Sequence, residues 1–237
     1  MNHQNTDNPV YPITYEFTHP DGSTETFEIV LDETTVSLLN FDSSTAPSWS
    51  RLGYHQCAGC PLSEEDVPFC PVAVNIAQLI DRFKGHQSID PCTVRCITPE
   101  RTYTKEDISI QKALSSILGI IMATSDCPVM SFYRPMARFH LPFSTTRETI
   151  FRSASLYLLQ EYFEYKRGRE PDLEMKKLGD LMEKVRVVNR GILDRVRSIT
   201  VRDADPNAII ILDSFSAMLG MEVDAKLSSL SYLFPPR

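Results

Sequence analysis

The chain has 237 residues, 42% hydrophobic and 23% charged, with 24 Lys and Arg against 31 Asp and Glu for a net charge of −7. That composition fits a globular chain long enough to bury a sizeable core, and it argues against disorder. No apolar run approaches the roughly 20 residues that cross a bilayer, since the longest, residues 113–123, is interrupted by Ser115 and Ser116. The first ten residues lack the basic-then-apolar pattern of a secretory signal, so the expected compartment is a reducing cytoplasm.

The charge is unevenly laid out. Residues 1–50 hold eight acids and no Lys or Arg, leaving the remainder at +1. An acidic chain disfavours general nucleic-acid binding, which needs cations to displace phosphate counterions. The exception is a basic stretch at 181–202, where Arg186, Arg190 and Arg197 fall on one helical face; a solvated face is the ordinary reading. The acidic N-terminal segment is the alternative partner for that face.

In chain order, residues 1–10 are polar and expected to be disordered. Around PDGS, apolar and polar residues alternate on both sides, predicting a hairpin with strands near 13–18 and 24–31. A Ser/Thr/Pro-rich stretch then reads as a linker into a cysteine-rich segment. These features predict a tail (1–10), a β-hairpin module (11–45) and a metal-binding helical domain (46–237). Val72, Ile76, Leu79, Ile80 and Phe83 are spaced for a helix, and a short strand is predicted at 92–98. Thr104 with Asp107 and Thr145 with Glu148 resemble capping boxes opening two helices; in the second, Ile150, Phe151, Leu156, Leu159, Tyr162 and Phe163 are the apolar positions. Two further helices are predicted at 171–200 and 206–219, each with proline first. The fold class is therefore α+β: a small antiparallel β module, a cysteine-rich loop and a mostly helical C-terminal domain.

The most specific chemical signal is HQCAGCPLSEEDVPFCP, which places His55, Cys57, Cys60 and Cys70 within sixteen residues. A C-x-x-C turn brings two thiolates onto one ion, and the loop carrying Glu64, Glu65 and Asp66 can return Cys70 to it. A fourth ligand is then needed: local sequence favours His55, sulfur chemistry favours Cys127. In a reducing compartment such cysteines read as metal ligands, with zinc the expected ion and an iron–sulfur cluster the alternative, because Cys60, Cys70 and Cys127 each precede a proline. Cys92 and Cys96 lie four apart on the predicted strand and read as small core residues.

A second constellation, SDCPVMSFYRPMARFHLPF, gathers Cys127, Arg134, Arg138 and His140 ahead of a helix whose first turn adds Arg147. Bases beside a helix N-terminus suit a phosphate or carboxylate, and Cys127 with His140 as base is a candidate nucleophile pair. The competing reading pairs the arginines with Asp126 or Glu148 and buries His140 as a structural residue. No Gly-rich phosphate loop, G-x-S-x-G or H-E-x-x-H motif is present.

The segments HQCAGCPL…FCPVAVNI, ERTYTKEDISIQKALSSILGIIMATSDCPVMSFYRPMARFHLPF and ETIFRSASLYLLQEYF resemble an uncharacterised family of bacterial proteins of unknown function, across most of residues 50–190. The resemblance implies a bacterial, cytosolic protein and no particular activity. The residues themselves predict a non-catalytic binding or regulatory component clipped by structural zinc. The alternatives are an iron–sulfur redox or sensor protein, and an enzyme or small-anion receptor built on Cys127, Arg134, Arg138 and His140. Expected partners are a protein or a small anionic ligand, not a membrane.

Overall fold

A computed structural model describes residues 9–39, 46–199, 203–225 and 227–235. Residues 1–8 of the expected tail and 40–45 of the expected linker lie outside the described residues. The alternating pattern becomes strands β1 (Val10–Thr18) and β2 (Thr24–Asp32), paired antiparallel from Val10↔Asp32 to Thr18↔Thr24. Their turn is fixed locally: Gly22 takes φ +84 and donates its N–H to the His19 carbonyl at 2.9 Å, and the Asp21 carboxylate accepts the Ser23 N–H at 2.9 Å. Tyr11, Ile13, Tyr15 and Phe17 of β1 and Phe27, Ile29 and Leu31 of β2 supply the buried face.

Helix α1 (Pro71–Phe83) follows, with Pro71 in its first turn and Phe83 packed on Phe17 at a ring separation of 4.8 Å. Strands β3 (Pro91–Ile97) and β4 (Thr102–Ser109) then complete an antiparallel sheet of order β2-β1-β3-β4. The hairpin is thus not a separate module ending at residue 45. An isolated two-stranded hairpin is marginal in water, and β3 pairs the open edge of β1 from Thr14↔Ile97 to Thr18↔Thr93. The same pairing overrides the first expected capping box. Thr104 lies opposite Arg95 in the β3–β4 ladder, and α2 (Ile110–Thr124) starts later, with Ile110 N–H donating to the Asp90 carbonyl at 2.9 Å.

Helix α2 is buried on nearly every side and is the spine of the core. After a 3-10 turn at Met130–Tyr133 come α3 (Arg134–Arg138), α4 (Thr146–Lys166), α5 (Lys176–Arg197) and α6 (Ala204–Asp224), then a second 3-10 turn at Ser228–Leu233. The capping box at Thr145 and Glu148 is present at the start of α4. Of the expected apolar positions of α4, Ile150 and Leu156 are buried, together with Ser153, Ala154, Tyr157 and Glu161, whereas Phe151, Leu159, Tyr162 and Phe163 are exposed. Pro171 does not open α5. Asp172 is held by the Tyr157 hydroxyl at 2.8 Å and accepts the Lys177 N–H at 2.8 Å, so the helix begins five residues after the proline, at Lys176. One continuous buried cluster joins the inner sheet face to α1, α2, α5 and α6.

The acidic hairpin finds its cations elsewhere than on α5: Glu16 pairs with Arg95 at 2.7 Å and Glu33 with Arg138 at 3.3 Å. On α5, Arg186 and Arg190 pair with Glu183 at 3.2 and 3.7 Å, and Arg186 also faces Asp213 at 3.6 Å.

One buried acid gives the fold a pH dependence. Asp205, in the first turn of α6, is 1% exposed, its Oδ1 has no hydrogen-bond partner, and burial pushes its carboxyl up to about 7. Between the ordinary value of 3.8 and about 7 the native state holds a proton that the unfolded chain has released, so stability falls as pH rises through that window. Asp205→Asn should therefore be more stable than the parent at pH 8, by on the order of 2–4 kcal/mol. The difference should vanish below about pH 4 in urea titrations run across pH.

Candidate functional site: a cysteine centre beside a buried arginine

Cys57 and Cys60 bracket a tight turn in which the Cys60 N–H donates to the Cys57 carbonyl at 3.0 Å and Gly59 takes φ +70. That left-handed conformation at the third turn residue is what a type II turn requires. Cys70 is the N-cap of α1, at the positive end of the helix. Its N–H donates to the Ser50 carbonyl at 2.8 Å, and Leu52 N–H to the Pro68 carbonyl at 3.0 Å, a short ladder that closes the loop between them. Glu64, Glu65 and Asp66 in that loop are exposed. Cys127 follows α2, and its sulfur accepts the backbone N–H groups of Met130 and Val129.

These four thiols act on one another. Burial pushes the Cys57 thiol up to about 12; Cys70 and Cys60 add to the rise, the Arg195 guanidinium opposes it, and Cys127 adds a smaller share. Cys127 is raised for the same first reason, with its two N–H donors opposing and Cys70 and Cys60 adding. Among the described residues, no three of these sulfurs lie within 4.8 Å of one another. Of the two rivals for the fourth position, Cys127 lies close enough to act on the other three thiols. His55 is exposed, at φ +46, with its ring edge-on to Tyr54 at 4.7 Å. Cys92 and Cys96 are buried in the sheet core, and Cys92 Sγ contacts the Ile108 carbonyl at 3.3 Å.

Helix α5 forms the wall behind Cys57. Its Sγ lies 3.9 Å from the Val188 carbonyl, and a Cβ on Gly191 would come 2.6 Å from that sulfur. One turn further along, Arg195 is fully buried and directs its guanidinium to the carbonyls of Trp49, Arg51 and Leu52 at 2.9, 2.7 and 2.8 Å. Its Nε has no hydrogen-bond partner, and it forms no salt bridge among the described residues. Sequence reasoning missed this residue by counting it with the solvated bases of α5. The available signal was its position in the buried stripe of Val185, Val188, Ile192 and Val196.

The second constellation is dispersed. Arg134 pairs with Asp126; Arg138 lies between Glu33 and Glu100 at 3.3 and 3.6 Å with its guanidinium 4.0 Å over the Tyr11 ring; Arg147 lies 5.8 Å over Tyr232. His140 alone of this set lines a large cavity beside α2 and α4. It is hydrogen-bonded to the Tyr15 hydroxyl, and burial, with Arg152 adding, lowers its ring to about 3. A neutral imidazole so held neither attracts anions nor serves as base for Cys127 near neutral pH. Elsewhere, Glu25 Oε1 lies 3.2 Å from Nε2 of both His19 and His86. The two rings are stacked 11° from parallel, so an ion in the plane of one imidazole lies outside the plane of the other.

Gly191→Ala should destabilise by about 1–3 kcal/mol through overpacking against Cys57. Gly179→Ala, on the same helix with nothing within 4 Å of an added Cβ, should stabilise by about 0.5–1 kcal/mol, both read by chemical denaturation. For His140, the unfolded ring takes up a proton near 6.5 and the native ring only near about 3, so stability is lost as pH falls through that window. His140→Gln should flatten the dependence of the urea midpoint there.

No curated protein and no solved structure matches the chain. A family model described as Domain of unknown function (DUF6901) matches residues 13–235, nearly the whole length. The chain belongs to this family, whose function is not defined.

Proposed function

We propose that Cys57, Cys60, Cys70 and Cys127 carry an iron–sulfur cluster and that the protein is a cytoplasmic, bacterial redox or sensor component. The observation that carries this reading is the convergence of four thiols from separate elements: the turn at Cys57 and Cys60, the N-cap of α1 at Cys70 and the segment after α2 at Cys127, all acting on one another. Cys60, Cys70 and Cys127 each precede a proline, as cysteines that hold iron–sulfur clusters often do.

The surroundings support the same reading. Four crowded thiols resist ionising together without a cation; bound metal reverses that balance and deprotonates them. A cluster with four thiolates is anionic, and the Arg195 guanidinium, which has no carboxylate partner among the described residues, acts on Cys57 as its counter-charge. The N–H groups of Met130 and Val129 on Cys127 are the hydrogen bonds that tune a cluster's potential. With a cysteine on every iron no coordination position stays open, so electron transfer or sensing fits better than substrate chemistry at the metal. Cys57, Cys60 and Cys127 are only partly buried, which suits electron exchange with a partner at the surface.

Structural zinc is the second reading, and one measurement separates the two. Protein purified without oxygen should be brown, bleach reversibly with dithionite, and contain about four iron and four sulfide per chain. Cys127→Ala should lose the colour and most of the iron. A colourless protein with one equivalent of zinc would establish the zinc reading instead, and absence of any metal would end both.

A further inference from the structure

Helix α4 is apolar on two opposite sides. Ile150, Ala154 and Tyr157 are buried against the body of the protein. Facing away from them, Phe151, Leu158, Leu159, Tyr162, Phe163 and Tyr165 are exposed, from 37% at Leu158 to 61% at Tyr165. A helix that is apolar all round is ordinarily covered all round. At roughly 200 Å² for each large side chain, these exposures leave about 550 Å² of apolar side chain in water. That is the upper end of the largest patch on a typical monomer, and most of the roughly 800 Å² that one partner gives to a specific interface. Phe139, itself exposed, extends the patch, since its carbonyl accepts from Arg152 Nη2 at 2.6 Å and so lies beside the first turns of α4.

The pattern on this face complements a second copy of itself. Phe151, Ser155, Leu158, Tyr162 and Tyr165 follow one another at intervals of four, three, four and three residues, the seam spacing of paired helices. Two such seams laid antiparallel set Ser155 opposite Leu158 of the partner subunit, small against large at the centre, and Phe151 opposite Tyr162 of the partner subunit. The charges at the rim leave few cations for an anionic surface. Arg167 and Arg169 are both paired with Glu164, and Arg152 is turned to the carbonyls of Met136 and Phe139. Arg147, stacked over Tyr232, and Lys166 remain, with Glu148 between them and the seam. A helix that lies on anionic lipid needs a richer basic face than this.

We propose that the protein is a homodimer in which the outer faces of two α4 helices pack antiparallel across a two-fold axis. Such an interface uses the same patch on both copies. The six residues then supply roughly 1,100 Å² in total, and Phe139 and the rim bring it into the range of about 1,200–2,000 Å² of stable interfaces. The inference does not depend on the metal at the cysteine centre, so either can fail alone.

The test is sedimentation equilibrium of the full chain from about 1 to 100 µM, where an interface of this size should associate. The main species at about 10 µM should be a dimer of two 26.9 kDa chains. Leu158→Glu places two like charges close to the axis and should weaken dimerisation by about a hundredfold or more, with circular dichroism unchanged. Ile89→Glu, at a still more exposed apolar residue in the loop before β3, should leave the dimer intact. Phe151→p-benzoylphenylalanine should photo-crosslink to the segment around Tyr162 of the partner subunit. A monomer at every concentration, a dimer undiminished in folded Leu158→Glu protein, or a crosslink from position 151 to the same position of the other copy would each overturn the proposal. So would a monomer that co-sediments with vesicles of phosphatidylcholine and phosphatidylserine, which would assign the face to a membrane. The concentration series uses the unaltered chain and decides the matter if a variant fails to fold.

Discussion

The constraint on which the cysteine centre depends is the burial of the Arg195 guanidinium. A cation taken out of water without a carboxylate is expensive unless its donors are satisfied and a negative charge lies nearby. Three carbonyls, of Trp49, Arg51 and Leu52, supply the hydrogen bonds, and the same segment forms the short ladder with Pro68, Phe69 and Cys70. Arg195 thereby pins the base of the cysteine loop to α5. Both arms of the loop leave from that point, which is why Cys57 and Cys70 return to one place despite the exposed acidic stretch between them.

Helix α5 borders the cysteine loop and the large cavity beside α2 through two faces. Val188, Gly191 and Arg195, spaced three and four apart, meet Cys57 and the base of its loop. Val185 and Asn189, four apart, line the cavity on the other side. Met130 makes a second link: its side chain lines the cavity while its N–H donates to Cys127 sulfur. The absence of a side chain at Gly191 sets how closely the loop approaches the helix, so backbone geometry and sulfur position are coupled there.

Local signals in the sequence were read correctly where neighbours along the chain decide the outcome. The PDGS turn, the capping box at Thr145 and Glu148, and the helical spacing from Val72 to Phe83 each fix their structure within a few residues. Signals failed where a distant partner won. Thr104 and Asp107 look like a helix start, but β3 offers an unpaired edge, and strand pairing satisfies more backbone groups than a cap. Pro171 looks like a first helical residue, but Asp172 is tied to α4 through Tyr157. The apolar residues of α4 at Phe151, Leu159, Tyr162 and Phe163 have the spacing of a core face, yet sequence spacing cannot say which side meets the rest of the protein.

The same division holds for the candidate site. The sequence by itself determined that Cys57, Cys60 and Cys70 share one loop, because a C-x-x-C turn with glycine at its third position has few conformations. It also determined the α+β class, through the change of hydrophobic period along the chain. Only the tertiary structure decided that Cys127 lies beside them while His55 stays in solvent, that Arg195 is buried behind the cysteine loop, and that Arg134, Arg138 and His140 separate. The reason is physical: spacing along a chain controls geometry over one turn or one hairpin, whereas a buried charge and the approach of a helix at glycine are settled by packing between elements more than a hundred residues apart.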